Sequence, residues 1–170
     1  MVFLKRQYPA LFVLVLSFLL SGCKATQTLY EKSFQTLEEE SQQGKKESTH
    51  ALCHRFLYGI GFEKNYSKAF YWCRKAAETG TARSVTLLGL MYFNGWGTPV
   101  DYKQSYKKFR YAADRGVNKA MVMLYEHYSK GLAVAKDSRE AKYYLNRAAS
   151  RNYQPAIDIK NHLEMSGESE

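Results

Sequence analysis

Along most of the chain, apolar residues recur at helical spacing, as in Val85, Leu88, Met91 and Tyr92. Intervals of three, four and seven residues put such positions on one buried face of an α-helix. Each of these segments (helix A) meets a glycine-bearing turn, and a second amphipathic segment (helix B) follows. The pattern then starts again 36 residues on: Ala76-Ala77 returns as Ala112-Ala113 and Ala148-Ala149, Gly59 as Gly95 and Gly131, and Leu52 as Leu88 and Leu124. Phe56 becomes Tyr92 and then Tyr128 in the same register. A fixed period of this length marks a solenoid, in which each unit buries its apolar face only against its neighbours.

The polar positions set the ends of the predicted helices. Gly59 with Gly61, and Gly95 with Gly97, supply positive φ in the turn after helix A. Asn65, Asp101 and Asp137 fall where helix B needs an N-cap oxygen. Small residues on helix B, such as Ala69, Ala76, Ser105, Ala112, Ala141 and Ala148, allow neighbouring helices to approach closely. Gly80, Gly116 and Asn152 occupy the position just past helix B, where a left-handed residue closes the helix.

The register extends beyond the three full units. Phe34 aligns with Phe70 and Tyr106, Leu37 with Cys73 and Phe109, and Gly44 with Gly80 and Gly116. Residues 28–44 therefore read as a degenerate helix B rather than as an acidic tether built on Glu38, Glu39 and Glu40. Downstream, Gln154 to Glu164 continues as a last helix A, with Ala156 at the position of Ala120, and residues 166–170 are expected to fray.

The units resemble Sel-one-like repeats, relatives of the tetratricopeptide repeat. The residues that carry the resemblance are Leu88-Gly89, Tyr92, Asn94-Gly95-Trp96-Gly97, Asp101-Tyr102, Ala112-Ala113 and Gly116. Unit one departs with Cys53 at the position of Gly89, and unit three with Tyr125 there and Ala133 at the second turn glycine. The resemblance covers residues 47–165. It implies an all-α fold, a right-handed α-solenoid of antiparallel helix pairs with about three 36-residue repeats and flanking half-repeats, used as a protein-binding scaffold.

The N-terminus carries an address. Lys5 and Arg6 precede an apolar run from Ala10 to Leu20, too short to cross a bilayer of about 30 Å as a helix, so residues 1–22 read as a signal peptide. The run ends in Leu20-Ser21-Gly22-Cys23, which resembles the lipobox of bacterial lipoproteins. That resemblance implies cleavage before Cys23, acylation of Cys23 (palmitate among the chains) and a short tether over 23–27. Lys24, where an Asp would signal retention at the inner membrane, implies an outer-membrane lipoprotein facing the periplasm.

Composition narrows the function classes. The formal charge is +9 and would be +7 without Lys5 and Arg6. The basic residues are scattered among Glu and Asp along the helices, with no nucleic-acid-binding motif or basic arm, so no nucleic acid is expected. In an oxidising compartment Cys53 and Cys73, at nearly equal distances from the turn around Phe62, are predicted to form a disulfide; two buried thiols are the alternative. His50 and His54 share a helix face, but no third ligand accompanies them, so no metal is expected. No catalytic motif is recognisable, so the chain is read as a non-enzyme without cofactor.

What remains is surface. Helix A lines the inner curve of related solenoids, which nominates Arg55, Met91, Trp96, Glu126 and His127 as partner contacts. Tyr58, Tyr102, Tyr106, Tyr125 and Tyr128 belong to a type enriched at binding hot spots, although each can also fill a gap between helices. The expected role is a membrane-anchored scaffold for a periplasmic or secreted protein. In its sharpest form it is an immunity protein that neutralises a secreted antibacterial toxin of the type VI lipase kind. The alternatives are an envelope ligand-binding protein or enzyme acting on cell-wall fragments, and a purely structural envelope protein.

Overall fold

The computed structural model describes residues 32–167, which form eight α-helices and no strand. The expected signal peptide, Cys23 and residues 28–31 lie outside the described residues. The helices are α1 (Phe34–Gln42), α2 (Lys46–Tyr58), α3 (Tyr66–Glu78), α4 (Ala82–Asn94), α5 (Tyr102–Asp114), α6 (Asn118–Lys130), α7 (Ser138–Ala149) and α8 (Gln154–Ser166). Helices α2/α3, α4/α5 and α6/α7 are the three A/B hairpins, and each helix B packs in turn on the next helix A. This is the α-solenoid expected from the period.

The three turns are built alike. Gly59, Gly95 and Gly131 are left-handed C-caps whose N–H groups donate to the carbonyls of Arg55, Met91 and His127. The N–H groups of Asn65, Asp101 and Asp137 reach back to Phe56, Tyr92 and Tyr128 at 3.0, 2.9 and 3.0 Å, closing each turn. The same three side chains then cap helix B, accepting from the N–H of Lys68, Gln104 and Glu140. Gly97 cannot be replaced freely: a Cβ there would lie 2.2 Å from the Tyr66 carbonyl oxygen. In unit three the equivalent residue is Ala133, held at φ 65°, a conformation that costs an L-residue roughly 1–2 kcal/mol.

The flanking helices are half-repeats, with two corrections. Helix α1 begins at Phe34 rather than Thr28: Lys32 and Ser33 are not helical, and Ser33 is the N-cap, its Oγ accepting from the N–H of Thr36 at 3.2 Å. The register position that holds Asn65 in unit one falls on Leu29, which has no acceptor, and Ser33 supplies one a turn later. Helix α8 runs to Ser166, two residues past Glu164, and closes on a left-handed Gly167.

The core consists of two clusters. One surrounds the first hairpin, with Leu37, Leu52, Phe56, Leu57, Trp72 and Met91 about the bonded Cys53 and Cys73. Their sulfurs lie 2.07 Å apart and their Cα atoms 4.6 Å apart, which joins α2 to α3. The other cluster contains Phe109, Met121, Leu124, Tyr128, Tyr144 and Leu145. Leu87 and Trp96 pack against both clusters and make the core continuous. Between units the contact is aromatic at one repeated position: Phe34 on Phe56, Phe70 on Tyr92 and Tyr106 on Tyr128, at 5.8, 5.5 and 5.9 Å between ring centroids.

Candidate partner-binding surface

Arg55, Met91 and His127 occupy one register position, and the structure corrects their assignment to the surface. Their exposures are 5%, 0% and 0%. The position lies on the buried arc of helix A directly behind the turn. Where the residue there is polar, it satisfies the turn backbone. Arg55 Nε donates to the Ile60 carbonyl at 2.8 Å, and His127 Nδ1 contacts the Leu132 carbonyl at 2.6 Å. Ile60 and Leu132 are themselves equivalent. Each polar side chain also crosses to the preceding helix B layer: Arg55 Nη1 donates to the Lys32 carbonyl at 2.7 Å, and His127 Nε2 meets Ser105 Oγ at 2.8 Å. The Arg55 guanidinium further covers the Phe62 ring at 4.1 Å.

Burial pushes the His127 pKa down, against smaller upward contributions from the Leu132 carbonyl and the Glu126 charge. The imidazole is therefore neutral, with its proton on Nδ1 directed at Leu132 and Nε2 left to accept from Ser105. Phe93, Tyr106 and Phe109 surround the ring at 5.6–5.9 Å between centroids. The side chains of Arg55, Met91 and His127 are packed inside the solenoid rather than on its surface. The sequence did contain the signal: Met91 belongs to the apolar helical pattern, and its register partners share its environment.

Trp96 and Glu126 do reach solvent. Trp96 is half-buried and stacks on Tyr66, with centroids 5.6 Å apart and planes 3° from parallel. Glu126 is half-exposed and pairs with Lys130 at 3.4 Å, the kind of surface pair that contributes about 0–1 kcal/mol. Across α2, α4 and α6 the adjoining row consists of Tyr58, Asn94 and Lys130, all exposed.

On α2 this row continues as a ridge of rings in which His50 and His54 precede Tyr58 at four-residue spacing. His50 and His54 are 6.2 Å apart, and His54 and Tyr58 4.6 Å. His50 Nδ1 contacts Ser84 Oγ of α4 at 2.9 Å, which ties the two helices together. Burial lowers the pKa of both histidines, assisted at His50 by the charges of His54 and Arg83, and raises that of Tyr58. The ridge is therefore neutral and aromatic near pH 7. Cys53 is bonded to Cys73, and among the described residues no group of three or more His, Cys, Asp or Glu is placed to hold a metal.

The remaining tyrosines divide between core and surface. Tyr58 and Tyr102 are 43% and 38% exposed, while Tyr106 and Tyr125 are half-buried. Tyr128 is buried; its hydroxyl meets that of Tyr106 at 2.7 Å, and its ring stacks on Tyr144. Burial and the Tyr106 hydrogen bond push the Tyr128 pKa up to about 12. Arg110 Nη1 donates to both hydroxyls, at 3.2 and 3.4 Å. Burial works against its charge, but the phenol hydrogen bonds prevail and keep it protonated.

Two clefts adjoin the helices. The larger, of about 580 Å³, lies between α7 and α8, lined by Asn146, Ser150, Ile157, Lys160, Asn161 and Glu164. In earlier units the positions of Lys160 and Glu164 hold the buried Leu124 and Tyr128. The exchange leaves this face of α8 polar where the earlier A helices are apolar. The smaller cleft, of about 290 Å³, lies at the other end beside Phe34, Phe56, Phe62 and Lys68.

Comparison with known proteins bears on the geometry. The Sel1 repeat family model matches residues 46–80, 82–117 and 119–153, together more than half of the chain. A Sel1 repeat protein from Oxalobacter formigenes superposes with a TM-score of 0.64 at 34% identity, over 74% of this chain and 94% of that one. The c5321 protein, described as a protective antigen of uropathogenic Escherichia coli with an SLR fold, superposes with a TM-score of 0.71 at 27% identity over 77% of this chain. The match spans 28% of the c5321 chain. A search of curated proteins returned no match.

Proposed function

Because the chain belongs to the Sel1 repeat family, whose repeats mediate protein–protein interaction, we propose that it is a binding scaffold held at the bacterial envelope by a lipid on Cys23. Its sharpest form is an immunity protein for a secreted antibacterial toxin that acts at membranes. The observation that carries the scaffold reading is the exposed row Tyr58, Asn94 and Lys130, flanked by the His50–His54 ridge, Glu126 and Trp96. It spans three successive A helices, each packed on its neighbouring B helices, so its side chains are presented from ordered helical backbone. Its mixture of aromatic rings and a few charges is the composition of an interface centre with a polar rim.

The leader and lipobox pattern supports an envelope address, and an anchor near the attacked membrane is what such an immunity protein needs. The test is affinity capture of envelope and secreted proteins by the full chain. The expected result is one stoichiometric partner that survives moderate salt and is lost on combined Tyr58→Ala and Glu126→Lys substitution. A partner that is toxic when expressed alone, and neutralised by the chain, establishes immunity. No partner above background overturns the scaffold reading. Thermal stabilisation by a wall fragment would then favour a second reading, a ligand site in the α7–α8 cleft, whose volume of about 580 Å³ suits a small molecule.

A further inference from the structure

Folding segregates the charge of this chain onto one layer. Helices α3, α5 and α7, taken with their C-terminal residues as 66–79, 102–115 and 138–151, carry twelve Lys and Arg against three carboxylates, a net +9. The other described residues hold ten bases and ten acids and sum to zero. None of the twelve basic residues is buried.

The placement follows the repeat. One row across the three helices is Ser67, Lys103 and Arg139, and the next is Tyr71, Lys107 and Tyr143. The third is Lys75, Tyr111 and Arg147, and the last Thr79, Arg115 and Arg151. Neighbouring helices are tied at these rows: Tyr111 Oη donates to the Gly80 carbonyl at 3.0 Å, and the Arg151 guanidinium lies over Gly116. Tyr71 and Tyr143, 54% and 53% exposed, stand at the same height two units apart. Glu78, Asp114 and Glu140 are the three carboxylates on the layer.

We propose that the face formed by α3, α5 and α7 docks on an anionic phospholipid surface. A net charge of +9 spread over three helices is a diffuse field, which laterally mobile lipid headgroups can match at any spacing. Lysine and arginine stems let the charges reach phosphate while their methylenes lie along the interface. Exposed tyrosine rings, apolar with a polar tip, suit the headgroup level. The A layer, which carries the partner surface, would then face away from the membrane. The proposal rests on the described helices alone and not on the lipid at Cys23.

The test is vesicle flotation of the full chain bearing Cys23→Ser, so that no acyl chain contributes. Vesicles of phosphatidylglycerol with phosphatidylcholine are compared with phosphatidylcholine alone. Binding should be at least tenfold stronger to the anionic vesicles and should weaken with salt. Each basic side chain near such a surface contributes about fivefold, so Lys103→Glu, Lys107→Glu and Arg139→Glu together should abolish the difference while leaving the helical spectrum and melting midpoint unchanged. A control with the same change in net charge on the A layer, Lys46→Glu, Arg83→Glu and Lys119→Glu, should retain it. Equal loss in both triple variants, or equal binding of the starting chain to both vesicles, overturns the proposal. So does an acidic protein partner that is lost only with the B-layer variant while vesicles are not bound.

Discussion

Substituting His127 separates a core role from a surface role. Its ring is fully buried among Phe93, Tyr106 and Phe109, with Nδ1 on the Leu132 carbonyl and Nε2 on Ser105 Oγ. His127→Ala removes a packed ring and the partner of the Leu132 carbonyl, while Ser105 Oγ keeps the Tyr102 carbonyl. Large-to-small aromatic changes cost about 3–5 kcal/mol, and nothing at this site offers relief. His127→Met keeps most of the volume and copies Met91, the residue nature uses at the same position of unit two. It loses two hydrogen bonds worth about 1 kcal/mol each and should cost about 1–3 kcal/mol. Urea unfolding followed by circular dichroism reads both.

The pH dependence supplies an independent sign. Burial lowers the folded pKa of His127, so the unfolded chain binds more protons as pH falls below the ordinary imidazole value of 6.5. Stability is therefore full above the unfolded pKa and declines as pH drops through it toward the folded value. His50 and His54, shifted the same way, add to the decline. His127→Met should flatten this slope between pH 7 and pH 5 without removing it. If His127→Ala cost less than about 1 kcal/mol, or abolished partner capture at unchanged stability, the core assignment would be wrong.

Reducing the Cys53–Cys73 bridge, or substituting both residues by Ala, should destabilise the chain by about 2–4 kcal/mol, and alkylation before and after reduction should differ in mass by two labels. The pair Gly97→Ala and Ala133→Gly should move in opposite directions at one register position. The first forces a Cβ against the Tyr66 carbonyl at 2.2 Å and should cost more than about 2 kcal/mol, whereas the second relieves the φ of 65° at Ala133 and should add up to about 1 kcal/mol, both read from urea midpoints. Protonating Glu40, whose pKa is held down to about 2 by hydrogen bonds from Lys32, Ser48 and Lys45, should release the α1 end. Its contribution is full above the ordinary carboxylate range and lost as pH falls toward 2, so exchange of α1 amides should rise below pH 4 before that of α5.

Architecture was legible because a solenoid writes its contacts into its period. Once Leu52, Leu88 and Leu124 were aligned, helix phase, turn chemistry and caps followed from nearest-neighbour physics, and the caps at Asn65, Asp101 and Asp137 stand where the register put them. The candidate surface was less legible. Arg55, Met91 and His127 read as surface because helix A lines the inner curve of related solenoids, yet the apolar Met91 at their shared register position pointed to core. The His50–His54–Tyr58 ridge could be placed on one face, but its half-burial at the histidines and exposure at Tyr58 could not be read, since they depend on how far α4 leans over α2.

The sequence by itself determined the repeat, the helix boundaries to within a few residues and the pairing of the two helices that hold Cys53 and Cys73, because each rests on local spacing. Only the tertiary structure decided which polar residues face inward and how charge is distributed in space. Linear inspection finds Lys and Arg interleaved with Glu and Asp. Stacking the hairpins collects twelve bases on α3, α5, α7 and the residues that close them, and leaves the rest of the described chain neutral. The reason is physical: each helix turns only one arc to solvent, and the electric field of a surface sums over side chains that are neighbours in space rather than along the chain.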